Sequence, residues 1–185
     1  MQNEIHSSNI IAGNFRKGKN FKIGYYCVIE QGVEVGDDVT IGNYTILHKG
    51  VKIGNKTLVG SFCEIEFNTN IGNSAIIQGR IRTGESCIIE DNVTIKYGTI
   101  LTSNALLKKN SFLGPNVITL GSTHKRVTVH GTIIGENTYV GAGTKIAGGV
   151  KIGPDIAVGA MSFVSKDILE AGTYVGVPVR KLEKK

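Results

Sequence analysis

The chain has no tryptophan, three prolines, three cysteines and only 6% aromatic residues among its 185. So sparse a set of rings gives none of the aromatic interleaving of a single-strand nucleic-acid binder, and no known nucleic-acid motif is present. The cysteines, Cys27, Cys63 and Cys87, are widely spaced. They form neither an even disulfide framework nor a Cys-x-x-Cys redox or metal pair. No apolar run approaches the ~20 residues of a membrane span. Met1–Ser8 lacks the basic region and apolar stretch of a signal peptide, so the expectation is a cytoplasmic protein with no membrane insertion. Glycine is abundant, at 25 residues, but without the one-in-three spacing of collagen, which excludes a fibre and points to turns at fixed positions. The formal charge of +6 favours an anionic partner without choosing its class.

What is present is a repeat. Steps of six from Ile23 fall on Ile29, Val35, Ile41, Leu47, Ile53, Val59, Ile65, Ile71 and Ile77, miss at Thr83, then continue from Ile89 to Leu113. The column resumes at Ile134 and runs through Val140, Ile146, Ile152, Val158 and Val164. Two residues before each aliphatic, small or β-branched residues recur, and all three cysteines fall in that second column. Glycine commonly follows the aliphatic, as at Gly24, Gly36, Gly42 and Gly54. A period of six fits neither a helix nor an unbroken alternation, so each hexad is a short strand closed by a turn. Such units bury their apolar side only by stacking on neighbours.

This pattern resembles the hexapeptide-repeat acyltransferases, whose fold is a left-handed parallel β-helix, all-β, with three hexads per coil of a triangular prism. The resemblance implies one domain over 1–185 of roughly eight coils. Residues 1–20 form an N-terminal cap or partial coil, 121–131 a projecting loop, and 165–185 a C-terminal cap. From Leu113 to Ile134 is 21 residues, three more than three hexads, and the loop takes up the slip. It contains His124 and His130.

The run Gly114 to His124 is similar to the galactoside- and maltose-type sugar O-acetyltransferases, with Pro115 nine residues before His124. Upstream, Val59–Glu66 and Asn70–Asn73 resemble the enzymes that N-acetylate amino sugars on a nucleotide diphosphate. The resemblance implies acetyl-CoA as co-substrate, no metal, a sugar or sugar-nucleotide acceptor and a homotrimer. It implies His124 as the catalytic base, which an imidazole that titrates near neutrality suits. It implies backbone contacts to coenzyme at Gly141, Ala142, Gly159 and Ala160, and Ser165, Lys166 and Arg180 near its nucleotide and phosphates. Whether the acceptor is an amine or a hydroxyl stays open.

Three other classes fit less well. A γ-type carbonic anhydrase needs three histidines around one zinc, and His48 stands about four coils from the loop. A structural or ice-binding solenoid would carry threonine arrays outward, whereas here they share the inward column. A nucleic-acid binder has only net charge in its favour. His6 and His48 read as structural or solvent-exposed, and Arg80 and Arg82, which precede Thr83, as a solvated corner.

Overall fold

The computed structural model describes residues 5–123, 125–129 and 131–183. Its strands are mostly two residues long, and no helix occurs among the described residues. Strand partners lie 18 residues apart, as in Ile10↔Val28 and Asn70↔Ile88, so three hexads make one coil. The fold is the left-handed parallel β-helix that the family resemblance implies. Its third face is a continuous sheet of ten strands from Lys22–Ile23 to Arg180–Lys181. The second face has eight strands, from Arg16–Lys17 to Lys151–Ile152. First-face positions recur at Ile10, Val28, Ile46, Glu64, Arg82, Ile100, Ile118, Lys145 and Phe163, which gives nine coils among the described residues rather than eight. The additional coil is built by Ile10–Ile11 and Arg16–Lys17, which pair with the next coil despite the polar, basic sequence around them.

The aliphatic column fills the prism, with Ile29, Leu47, Ile65, Ile77, Ile95, Leu107 and Leu113 almost fully buried. Each such burial contributes about 1.5–3 kcal/mol. The cysteines lie inside as expected, and several inward threonines satisfy their hydroxyls by donating to the next coil. Thr45 Oγ1 donates to the Gly60 carbonyl at 2.8 Å, and Thr57 Oγ1 to that of Gly72 at 2.8 Å. The glycine column marks close approach between coils. A Cβ on Gly36 would lie 2.2 Å from Asn55 Oδ1. At the corner joining the third face to the first, Tyr26, Tyr44 and Phe62 stack at ring separations of 5.2 and 5.0 Å, with Arg80 over Phe62. The helix ends at a hairpin, where Gly172–Val175 pairs antiparallel with Arg180–Lys181.

The first face is not continuous. Between Glu64–Ile65 and Ile118–Thr119 it is reduced to single-residue bridges at Arg82 and Ile100. In the regular coils a backbone N–H reaches the carbonyl 17 residues on, as His48 N–H does to Ile65 at 2.9 Å. In the fourth coil Glu66 N–H instead donates to the Thr83 hydroxyl at 2.9 Å. In the sixth, Thr102 N–H donates to the Thr119 hydroxyl at 2.8 Å. The miss at Thr83 is therefore a swap of the two columns, with Ile81 taking the bulk and Thr83 supplying an acceptor in place of a carbonyl.

Candidate functional site

The loop leaves the corner between the first and second faces after Leu120 and returns at Gly131. Leu107 pairs with Ile134, and Leu113 with Val140, so this coil has 27 residues where the regular coils have 18. The insertion is thus nine residues, not three. Leu113 is on the third face and Ile134 on the second, which leaves two hexad steps between them instead of three. The described part of the loop is a small hairpin, with Ser122 bridged to Thr128 and Thr123 N–H donating to the Val127 carbonyl at 2.9 Å. Val129 presses on the following coil at Gly148, where a Cβ would lie 1.9 Å from its Cγ2. At the return, a Cβ on Gly131 would come within 2.0 Å of the Asn104 carbonyl oxygen.

Under this hairpin lies a cleft of about 420 Å³ bordered by Glu66, Arg82, Glu85, Thr102, Gly121 and Thr128. It opens where the first face loses its regular ladder. Thr102 is on its wall, with Oγ1 3.0 Å from that of the buried Thr119. Beside it is a group that sequence reasoning assigned no role. His48 stacks in register between Glu30 and Glu66, each 18 residues away, and Glu64 and Arg82 stand in the neighbouring column. His48 Nδ1 is 3.0 Å from Glu30 Oε1, and its Nε2 is 3.5 Å from Glu64 Oε1 and 4.0 Å from Glu66 Oε2. Arg82 holds the other oxygens, with Nε 3.1 Å from Glu64 Oε2 and a terminal nitrogen 3.3 Å from Glu66 Oε1. Arg82 is therefore an ion-pair partner rather than a merely solvated corner. The 18-residue spacing of Glu30, His48 and Glu66 was the available signal, and it has meaning only once three hexads are known to close a coil.

His124, and His130 with it, lies outside the described residues. Gly141 and Ala142 stack on Gly159 and Ala160 in the next coil, at the corner joining the third face to the first. A Cβ on Gly141 would lie 2.4 Å from the Ala160 nitrogen. Ser165 and Lys166 follow Phe163–Val164 and stand across the first face, at the same corner as the hairpin. Arg180 is on the terminal hairpin, exposed, opposite Val175. The structure thus groups the four glycine and alanine positions together and sets Ser165 and Lys166 on the loop's corner. Burial pushes the thiols of Cys63 and Cys87 up to about 11, and that of Cys27 upward too. At neutral pH these thiols stay protonated, so they are poor nucleophiles.

Residues 32–67 and 131–166 match the family described as bacterial transferase hexapeptide (six repeats). No curated protein matches the chain by sequence. Among solved structures, the chain is similar to a UDP-N-acetylglucosamine acyltransferase from Bacteroides fragilis, 18% identical with a TM-score of 0.82, over 97% of this chain and 74% of that one. It is also similar to the acetyltransferase domain of PglB from Neisseria gonorrhoeae in complex with acetyl coenzyme A, 17% identical with a TM-score of 0.58, over 83% of this chain. The chain spans 59% of the length of that domain. A third is AntD, an N-acyltransferase from Bacillus cereus in complex with dTDP and coenzyme A, 24% identical with a TM-score of 0.55, over 71% of this chain and 82% of that one. At these identities the likeness is one of fold.

Proposed function

We propose that this hexapeptide-repeat β-helix protein is an acetyl-CoA-dependent acetyltransferase that N-acetylates the amino group of a nucleotide-linked amino sugar for surface polysaccharide synthesis. One observation carries the reading: a prism of transferase-type hexads is interrupted once among the described residues, by a hairpin built over a cleft. A regular solenoid has no structural need of such an insertion, and binding residues concentrate on loops held by a rigid scaffold. The solved neighbours that hold acetyl-CoA, or dTDP with coenzyme A, supply the donor and acceptor classes.

In this reading the acceptor amine attacks the thioester carbonyl directly. His124 takes the proton, a backbone N–H at Gly141 or Ala142 stabilises the oxyanion, and the coenzyme leaves as its thiol. The raised thiol values of the buried cysteines speak against an acyl-enzyme on Cys27, Cys63 or Cys87. Lys166 and Arg180, with Ser165, hold the coenzyme's nucleotide and phosphates. The Gly141 corner and the hairpin corner bound opposite edges of the first face. A homotrimer unites them by setting one subunit's hairpin against its neighbour's glycine corner, under closed cyclic symmetry. With acetyl-CoA as donor, the reaction belongs to the cytoplasm.

The Pro115-to-His124 spacing favours a second reading, O-acetylation of a sugar hydroxyl. Both are tested by following thiol release from acetyl-CoA against a panel of amino-sugar nucleotides and plain sugars, with mass spectrometry of the product. Acetylation of an amino-sugar nucleotide is the expected outcome. Release with plain sugars alone moves the assignment to O-acetylation, and no release with either class overturns both.

A further inference from the structure

The group around His48 has an arrangement that an ion-pair network alone does not explain. His48 Nε2 is buried and has no hydrogen-bond partner among the described residues. Its approach to Glu64 Oε1 at 3.5 Å is within ion-pair reach but lacks hydrogen-bond geometry. A buried ring nitrogen left so is costly unless something sits in front of it. What stands in front of it is one oxygen from each of two glutamates. One ligand atom each from His48, Glu64 and Glu66 lie within 4.8 Å of one another.

We infer that His48, Glu64 and Glu66 form a binding site for a divalent transition-metal ion of the zinc class. Bonds of about 2.1 Å in tetrahedral geometry place ligand atoms about 3.4 Å apart. The separations from Nε2, 3.5 Å to Glu64 and 4.0 Å to Glu66, are close to that, and the whole set lies within 4.8 Å. One nitrogen with two carboxylates suits zinc, cobalt(II) or manganese, whereas calcium and magnesium prefer oxygen alone.

The surroundings match what metal ligands require of their neighbours. Glu30 Oε1 accepts from the Nδ1 side of His48, which leaves the Nε2 lone pair facing the carboxylates, and Glu30 is itself fixed by accepting from Lys49 N–H at 2.9 Å. A carboxylate on the far nitrogen of a ligating histidine is the neighbour that fixes the ring's orientation toward a metal. Arg82 takes the remaining oxygen of each glutamate, so one oxygen per carboxylate turns toward Nε2. It also cancels one of the two negative charges. Two of the three ligands are largely buried, with 17% of the His48 side chain and 15% of Glu66 exposed, while Glu64 is more open at 36%. Glu66 and Arg82 both border the cleft, which puts the ion at the cleft's edge.

This site does not depend on the acyl-transfer reading, and its test reads metal binding rather than turnover. The full chain, with any affinity tag removed and stripped by a chelator, is titrated with cobalt(II) while the visible d–d absorption is recorded, followed by zinc competition. A single saturable equivalent per chain with a tetrahedral-type band is expected. His48→Asn and Glu66→Gln should each weaken it by at least about tenfold, and Glu30→Gln by about 10–100-fold while the band keeps its shape. Thermal unfolding of the stripped variants checks that each is folded, and Glu64→Gln serves as ligand variant if either of the first two is not. Absence of saturable binding overturns the site. Undiminished binding in the folded ligand variants also overturns it, since the ion would then sit elsewhere.

Discussion

The second and third faces and the first face are made from the same hexads, yet they differ in one respect. On the former, the strand ladder from each coil to the next is made of backbone groups, and strands succeed one another in sheets of eight and ten. On the first face, Thr83 and Thr119 put a hydroxyl where a carbonyl would stand, and the ladder thins to bridges at Arg82 and Ile100. The cleft and hairpin lie on that interrupted stretch, and the His48 group borders it. An unbroken backbone ladder repeats the same strand pairing at every coil, while a side chain inserted into the ladder creates a place that differs from its neighbours.

The largest test of that contrast is Leu107→Ala, in the continuous second face, where the side chain is fully buried. A cost of about 3 kcal/mol is expected, a fall in Tm of roughly 10 °C by calorimetry, with turnover per folded molecule unchanged. His124→Ala should do the reverse, with Tm unchanged and turnover down by ~100-fold in the thiol-release assay if His124 is the general base. Equal damage to both properties in either variant would erase the division between scaffold and site. Thr119→Val tests the interruption itself, by removing the acceptor of Thr102 N–H. The expected cost is about 2 kcal/mol by denaturant unfolding, with weaker acceptor binding as the cleft wall shifts. The smallest effect belongs to Glu90→Gln on the regular second face. Burial pushes the Glu90 carboxyl up, but the Lys108 ammonium at 2.9 Å and the Lys109 N–H outweigh it and hold the group below its ordinary value. A depressed carboxyl stabilises above its unfolded pKa and loses that contribution as pH falls through the folded one. The variant should therefore cost about 0.5 kcal/mol at pH 7 and nothing near pH 2, read as stability against pH.

Much of the scaffold was legible because hexads repeat a demand that each coil makes of the next. The columns placed the cysteines inside and the insertion between Leu120 and Gly131. Other features depend on how the coil closes, which no single column states. The miss at Thr83 looked like a lapse until Ile81 was seen to have exchanged roles with it. The polar stretch around Arg16–Lys17 hid a first coil, because two-residue strands owe their pairing to the neighbouring coil more than to their own apolarity. Glu30, His48 and Glu66 are far apart in sequence and stacked in space, and Gly141 and Ser165 reach different corners although their motifs seemed to serve one ligand.

The 27-residue coil has a consequence for how such proteins diversify. Its neighbours on both sides keep full register, as Ile89↔Leu107 and Ile134↔Ile152 demonstrate, so the nine extra residues leave the strand pairing of the flanking coils unchanged. Doubling the length of a flexible loop costs only about 0.6 kcal/mol in closure entropy. A corner of this prism is therefore a socket: exchanging one short segment for another of different length changes what the protein recognises while the folding problem stays already solved.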